Sequence, residues 1–156
     1  MAVYTDVDTE SLDEFLDRYE IGKAVTFKGI AEGVENSNFL LETTQGRFIL
    51  TLYEKRVDPQ DLPYFMGIMD ELSHGGFPAP EPVHAKDGSI LQDLMGRPAA
   101  IVTFLKGMSP RKPSAEQCRQ IGAAMARMHA ALSETNLYRQ NSLSIASWPR
   151  LFQGRE

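Results

Sequence analysis

The stretch from Val25 to Arg56 constrains the fold more than any other. Two apolar, strand-forming runs flank a connection of small and polar residues there. That connection, Gly29 to Asn38, holds Gly33 and the polar run Asn36, Ser37 and Asn38. Glycine has no Cβ and the side chains around it are short, so such a loop can lay backbone N–H groups against an anion. It leads from one strand into the next, whereas a Walker-type phosphate loop runs from a strand into a helix. An ordinary hairpin loop rich in turn formers has the same composition, so the flanking sequence must decide between the two.

The order of elements narrows the choice. Leu12, Phe15, Leu16 and Tyr19 fall at helical spacing and predict an amphipathic helix over 8–19, with Ser11 and Glu14 as a capping box and Ile21-Gly22 as its end. Strands are expected at 24–30, 38–44 and 47–54, the last two joined by a tight turn at Gln45-Gly46. A second helix follows over 59–74, with Leu62, Phe65, Met66, Met69 and Leu72 as its apolar stripe and Gly75-Gly76 as its stop. Prolines at 78, 80 and 82 mark an extended connector. Val83–Leu94 reads as a hairpin turning at Asp87-Gly88, and Arg97–Leu105 as a further apolar strand. Residues 106–113, with two prolines and a glycine, read as a linker. Ser114 and Gln117 then open a helix with Ile121, Ala124, Met125, Met128 and Leu132 as its buried face. Five antiparallel strands with a helix inserted after the third make an α+β chain. The expected division is residues 1–105, a linker at 106–113, and the start of a helical unit at 114–156.

Composition removes several classes. A formal net charge of −5 over 156 residues argues against a dedicated nucleic-acid binder, which would show a basic face. No run approaches the ~18 consecutive apolar residues of a membrane span. The acidic N-terminus lacks the features of a signal peptide, so a cytoplasmic, reducing setting is expected. The single cysteine, Cys118, lies in a helical pattern and reads as a partly buried small hydrophobe, not a nucleophile.

Three words in this order, FKGIAEGVENSNFLL from Phe27, FILTLYEKR from Phe48 and PAAIVTFLKG from Pro98, carry a family resemblance. With IGAAMARMH from Ile121, they extend it over essentially the whole chain. The sequence resembles the N-terminal lobe of the protein-kinase-like fold, in its aminoglycoside phosphotransferase and choline kinase group. Within that group it is similar to the homoserine kinase branch. The resemblance implies a five-stranded antiparallel lobe, a hinge and the opening of a helical C-terminal lobe. It also implies ATP with Mg²⁺, and transfer of a phosphoryl group to the hydroxyl of a small molecule, L-homoserine in that branch. Choline, ethanolamine, aminoglycosides or methylthioribose are the acceptors of neighbouring branches, and a non-catalytic nucleotide-binding module is the alternative from another class. Gly33, Asn36, Ser37 and Asn38 would close over the ATP phosphates. Backbone groups of Thr103, Phe104 and Leu105 would meet the adenine edge, between apolar walls from Ile30, Ile49 and Val102.

Two departures from the family pattern bear on mechanism. Family members place a lysine or arginine in the third strand, where a cation steadies the α- and β-phosphates, and this chain has Thr51 there. Its glutamate partner is replaced by Phe65 or Met66, and joint loss is the economical outcome because an unpaired buried charge is costly. Lys55 and Lys28 are the candidate replacement cations, although strand-end lysines are more often simply solvated. The second departure concerns the His-x-Asp catalytic loop: His74, His84 and His129 are each followed two residues later by something other than Asp. The catalytic and metal-holding residues are therefore expected beyond Glu156, with His129 a packing or capping residue.

Overall fold

The computed structural model describes residues 5–31, 35–54, 57–141 and 144–149. Helix α1 spans Thr9–Leu16 and ends three residues before the expected Tyr19, because residues 17–19 tighten into turns closed by Arg18 N–H to Phe15 C=O and Tyr19 N–H to Leu16 C=O. Asp8 caps it instead of Ser11: extended Asp8 places its carboxylate over the first turn, where Oδ1 accepts from Ser11 N–H at 2.8 Å. The expected stripe holds, with Leu12, Phe15, Leu16 and Tyr19 all buried.

Strands β1 (Ala24–Gly29), β2 (Ser37–Thr43), β3 (Gly46–Leu52), β4 (Gln92–Leu94) and β5 (Arg97–Thr103) form one five-stranded sheet. The spatial order is β1-β2-β3-β5-β4, and each neighbouring pair is antiparallel. Side chains alternate between faces along a strand, and β2 shows this directly, its odd-numbered residues buried and its even-numbered ones half-buried. Phe39, Leu41, Phe48, Leu50, Leu52, Ala99 and Ile101 share one face and pack with α1 into the main core. Burying each such large side chain contributes about 1.5–3 kcal/mol. Val25 is an extra residue in β1, between the pairs Ala24–Thr43 and Thr26–Glu42, and it bulges into solvent at 67% exposure.

The turns differ from expectation in two places. Thr43 pairs with Gly46, so the β2–β3 loop residues are Thr44 and Gln45, one position earlier than the Gln45-Gly46 turn. Gln45 N–H donates to Thr43 Oγ1 at 3.1 Å, which favours this register. The Asp87-Gly88 turn forms, with Ser89 N–H donating to Asp87 Oδ1 at 2.9 Å, yet no strand ladder extends from it. Residues 81–83 instead lie along β5, with Thr103 N–H donating to Glu81 C=O and Val83 N–H to Ile101 C=O. Proline at 82 lacks the N–H a continuous ladder needs. The true hairpin is β4–β5, and its turn, Met95-Gly96, has both residues in the left-handed region at φ 54° and 74°.

A single 3₁₀ turn, Pro59–Asp61, leads into helix α2, Leu62–His74. Leu62, Met66 and Leu72 are buried as expected, whereas Phe65 is 39% exposed. Phe65 is covered from outside: the Arg139 guanidinium lies 5.2 Å from its ring centre. Helix α3, Ala115–Ala131, starts with the full Ser114–Gln117 capping box. Its expected buried face is covered only in part: Ala124, Met128 and Leu132 are half-buried, whereas Ile121 is 64% and Met125 50% exposed. Cys118 is likewise exposed, contrary to its reading as a partly buried residue. The chain after α3 returns to α2, where Leu137 abuts Gly67 and Arg139 Nη2 pairs with Asp61 Oδ2 at 2.5 Å. Among the described residues no helix is long and apolar enough to cross a membrane.

Candidate functional site

Strand register decides which of the singled-out residues lie together. Asn38, Thr51 and Ala100 are cross-strand partners, and so are Lys28, Leu40, Ile49 and Val102 in the next row. Ile30 joins the first row through its N–H, which donates to Asn38 C=O at 2.8 Å. Partners directly opposite one another share a face. Ile30, Asn38, Ile49, Thr51 and Val102 therefore stand on one surface of the sheet, the one α1 leaves uncovered. Leu40 and Ala100 belong to the same surface and escaped the sequence reading. Alternation from Asn38 and from Val102 was the signal that could have found them.

This surface is graded. Ile30, Leu40, Ile49 and Val102 are half-buried and apolar. On one side lies the polar pair Asn38 and Thr51, the Thr51 hydroxyl donating to Asn38 Oδ1 at 2.9 Å. On the other lies the Glu42–Arg47 ion pair at 2.7 Å. Thr51 thus occupies the expected cation position with a neutral hydrogen bond. Lys28 is exposed within the apolar row. Gly33 and Lys55, both candidates from the sequence, lie outside the described residues.

Ser37 separates from the group. It is fully buried on the opposite, α1-facing side, where its hydroxyl donates to Glu54 Oε1 at 2.7 Å and accepts from Thr5 N–H at 3.2 Å. Its side chain is one residue out of phase with Asn38, as the strand period requires. Asn36, at the approach to β2, accepts a long hydrogen bond from Glu54 N–H through Oδ1, at 3.4 Å.

At the far end of β5, the main chain of Thr103–Leu105 is unevenly occupied. Thr103 N–H donates to Glu81 C=O at 2.9 Å and Phe104 N–H to Arg47 C=O at 3.2 Å. Glu81 N–H goes to the Thr103 hydroxyl at 2.9 Å and not to its carbonyl. Among the described residues, Leu105 N–H has no hydrogen-bond partner. Phe104 and Leu105 side chains are exposed, at 36% and 48%. An apolar slab ending in an open backbone donor suits a flat heteroaromatic ring with a polar edge. Among the described residues no cluster of three or more His, Cys, Asp or Glu is placed to hold a metal ion.

Sequence and structure comparisons bear on the family and the fold. Residues 26–154 match the model of the phosphotransferase enzyme family. The homoserine kinase of Hyphomonas neptunium is 57% identical over 99% of this chain and 47% of its own length. That of Azorhizobium caulinodans is 55% identical over 98% of this chain and 48% of its own length. The chain thus spans about half the length of the curated relatives it matches. Among solved structures, a spectinomycin phosphotransferase in complex with ADP and spectinomycin superposes with a TM-score of 0.69 at 15% identity, covering 96% of this chain and 47% of that one. A microcompartment-associated aminopropanol kinase gives 0.65 at 17% identity, covering 92% and 48%. The sheet order, the inserted α2 and the capped α3 are those of a protein-kinase-like lobe and its exit, and the chain belongs to the phosphotransferase enzyme family.

Proposed function

We propose that this chain forms the nucleotide-binding part of an ATP-dependent kinase that phosphorylates the hydroxyl of L-homoserine. The observation that carries the acceptor is 57% identity to a curated homoserine kinase along nearly the whole chain. The two kinases of known structure named above act on other alcohols, and at 15% and 17% identity they bear on fold alone. The graded surface supports the nucleotide half of the reading. Adenine would lie on Ile30, Leu40, Ile49 and Val102, with Leu105 N–H donating to a ring nitrogen and the Thr103 carbonyl accepting from the exocyclic amine. The ribose and phosphates would run toward Asn36 and Asn38, with Gly33 over them.

With Thr51 in the third strand, the phosphate cation must come from another residue, and Lys28, directly before the loop, and Lys55, beyond the third strand, are the candidates. Mg²⁺ would accompany ATP and neutralise phosphate charge, its protein ligands and the catalytic Asp lying outside the residues described. In-line attack by the acceptor hydroxyl on the γ-phosphorus would form the new P–O bond as the bond to ADP breaks, the hydroxyl proton passing to that Asp.

The test is an ATP-coupled assay of the full-length protein against L-homoserine, choline, ethanolamine, methylthioribose and spectinomycin. The expected product is O-phospho-L-homoserine, with residues 1–156 alone giving no turnover. Preference for another alcohol would overturn the acceptor, and nucleotide binding without any turnover would favour the non-catalytic module that Thr51 leaves open.

A further inference from the structure

Glu54 follows β3 by two residues and is 91% shielded, its side chain showing 9% exposure beside Arg97 at 30%. Three other parts of the chain converge on it. Oε1 accepts from Ser37 Oγ at 2.7 Å and from Thr5 Oγ1 at 2.7 Å. Oε2 pairs with Arg97 Nε at 3.1 Å. Its N–H donates to Asn36 Oδ1 at 3.4 Å, and Thr5 N–H closes a ring by donating to Ser37 Oγ at 3.2 Å. One carboxylate therefore ties the N-terminal segment, the start of β2, the end of β3 and the start of β5. A shielded carboxylate with a guanidinium and two hydroxyls around it is expensive to disrupt, since removing one partner leaves the others uncompensated.

The position of this knot is informative. Asn36 and Ser37 are the stem by which the Gly29–Asn38 connection enters β2. Among the described residues, the other stem is held by the main chain, through Ile30 N–H to Asn38 C=O. A phosphate-binding loop works when its donors are held at a fixed place, because a displacement of about 1 Å weakens contacts to the oxygens severely. We propose that Glu54 is a positioning residue for phosphate binding, fixing the Asn36–Ser37 stem from behind the sheet without touching the ligand. This rests on the nucleotide reading above and adds to it a device on the opposite face. The adenine surface does not depend on the knot, being made by Ile30, Leu40, Ile49 and Val102 on the other side of the sheet. Glu54 should therefore control affinity for phosphates and leave affinity for the base alone.

The experiment compares ATP, ADP and adenosine binding by calorimetry in the full-length protein and its Glu54→Ala, Glu54→Gln and Ser37→Ala variants, with thermal unfolding run alongside. The expected result is about a tenfold weakening of ATP and ADP in Glu54→Ala and Ser37→Ala, with adenosine changed less than about twofold. Glu54→Gln keeps an acceptor for Ser37 and Thr5 and should fall between these and the wild type, which covers the case in which Glu54→Ala does not fold. Equal weakening of adenosine and ATP, or no change in either, overturns the proposal while leaving the nucleotide reading intact. A wild-type protein that binds none of the three overturns both.

Discussion

The Thr51 hydroxyl and Asn38 Oδ1, 2.9 Å apart, put a neutral hydrogen bond where the sequence resemblance implies a cation. Thr51→Val keeps the shape and removes the donor, leaving a half-buried amide oxygen to find another. The expected cost is about 1 kcal/mol in urea unfolding, with m unchanged. Thr51→Lys puts a half-buried cation in place of this neutral hydrogen bond, and it should destabilise more than the valine. His84 is the second residue with a defined consequence. Its Nε2 lies 3.2 Å from Asp70 Oδ1 and its Nδ1 3.2 Å from Gly88 C=O. The Asp70 hydrogen bond, then that of Gly88, raise the imidazole above its ordinary value, and the Asp70 and Glu81 charges add to this against slight desolvation. A group with a raised folded-state pKa contributes stability fully below the unfolded value and loses it as pH rises through the folded one. His84→Gln should thus lower the melting temperature at pH 5.5 and leave it nearly unchanged at pH 8.5. The effect stays within about 0.2–1 kcal/mol because the pair is solvent-screened. Equal destabilisation at both pH values would show that packing, not charge, is lost. At this scale the sequence exposed Thr51, because one aligned word was enough to place it. It did not expose Glu54, whose partners Thr5, Ser37 and Arg97 are 49, 17 and 43 positions away and meet only once the strands are in register.

Among the elements, α2 depends on a contact that its own apolar pattern conceals. A Cβ on Gly67 would sit 2.8 Å from Leu137 Cδ1. Gly67→Ala, ordinarily favourable in a helix by about 1 kcal/mol, should here lose that gain, because the Leu137 methyl must swing aside. Pairing it with Leu137→Ala should recover part of that loss, and additivity of the two changes in a double-mutant cycle would show that the segments do not meet in solution. The periodicity of Leu62, Met66 and Leu72 located the helix. It could not show that Phe65 would be covered by Arg139 from another element, since a hydrophobic stripe records the sheet side of a helix and not its outer neighbours. The β4–β5 turn was hidden for a different reason. Met95 at φ 54° is a poor turn former by composition, and Asp87-Gly88 carries the stronger local signal. The two-residue connection between Leu94 and Arg97 was the evidence for the real hairpin.

For the molecule as a whole, α3 and the chain leading to it present apolar side chains to solvent: Leu105, Met108, Ile121 and Met125, with Met108 at 97% exposure. Residues 1–156 in isolation should self-associate in a concentration-dependent way, visible by sedimentation velocity, and Ile121→Glu with Met125→Glu should return them to monomer. Persistence of association in that double variant would move the cause to the sheet. There the outcome depends on an asymmetry already visible at the ends of the strand order. One border is dull: β4 is three residues long, and the rest of β5 is occupied by residues 81–83 with proline at 82. The other border, β1, is six residues long and has its only irregularity at the Val25 bulge. A bulge in a border strand hinders further pairing, and this one is expected to oppose polymerisation. Straightening it by deleting Val25 would leave a regular border open to strand addition from a second molecule, so growth by pairing would begin at β1 and proceed from that side alone.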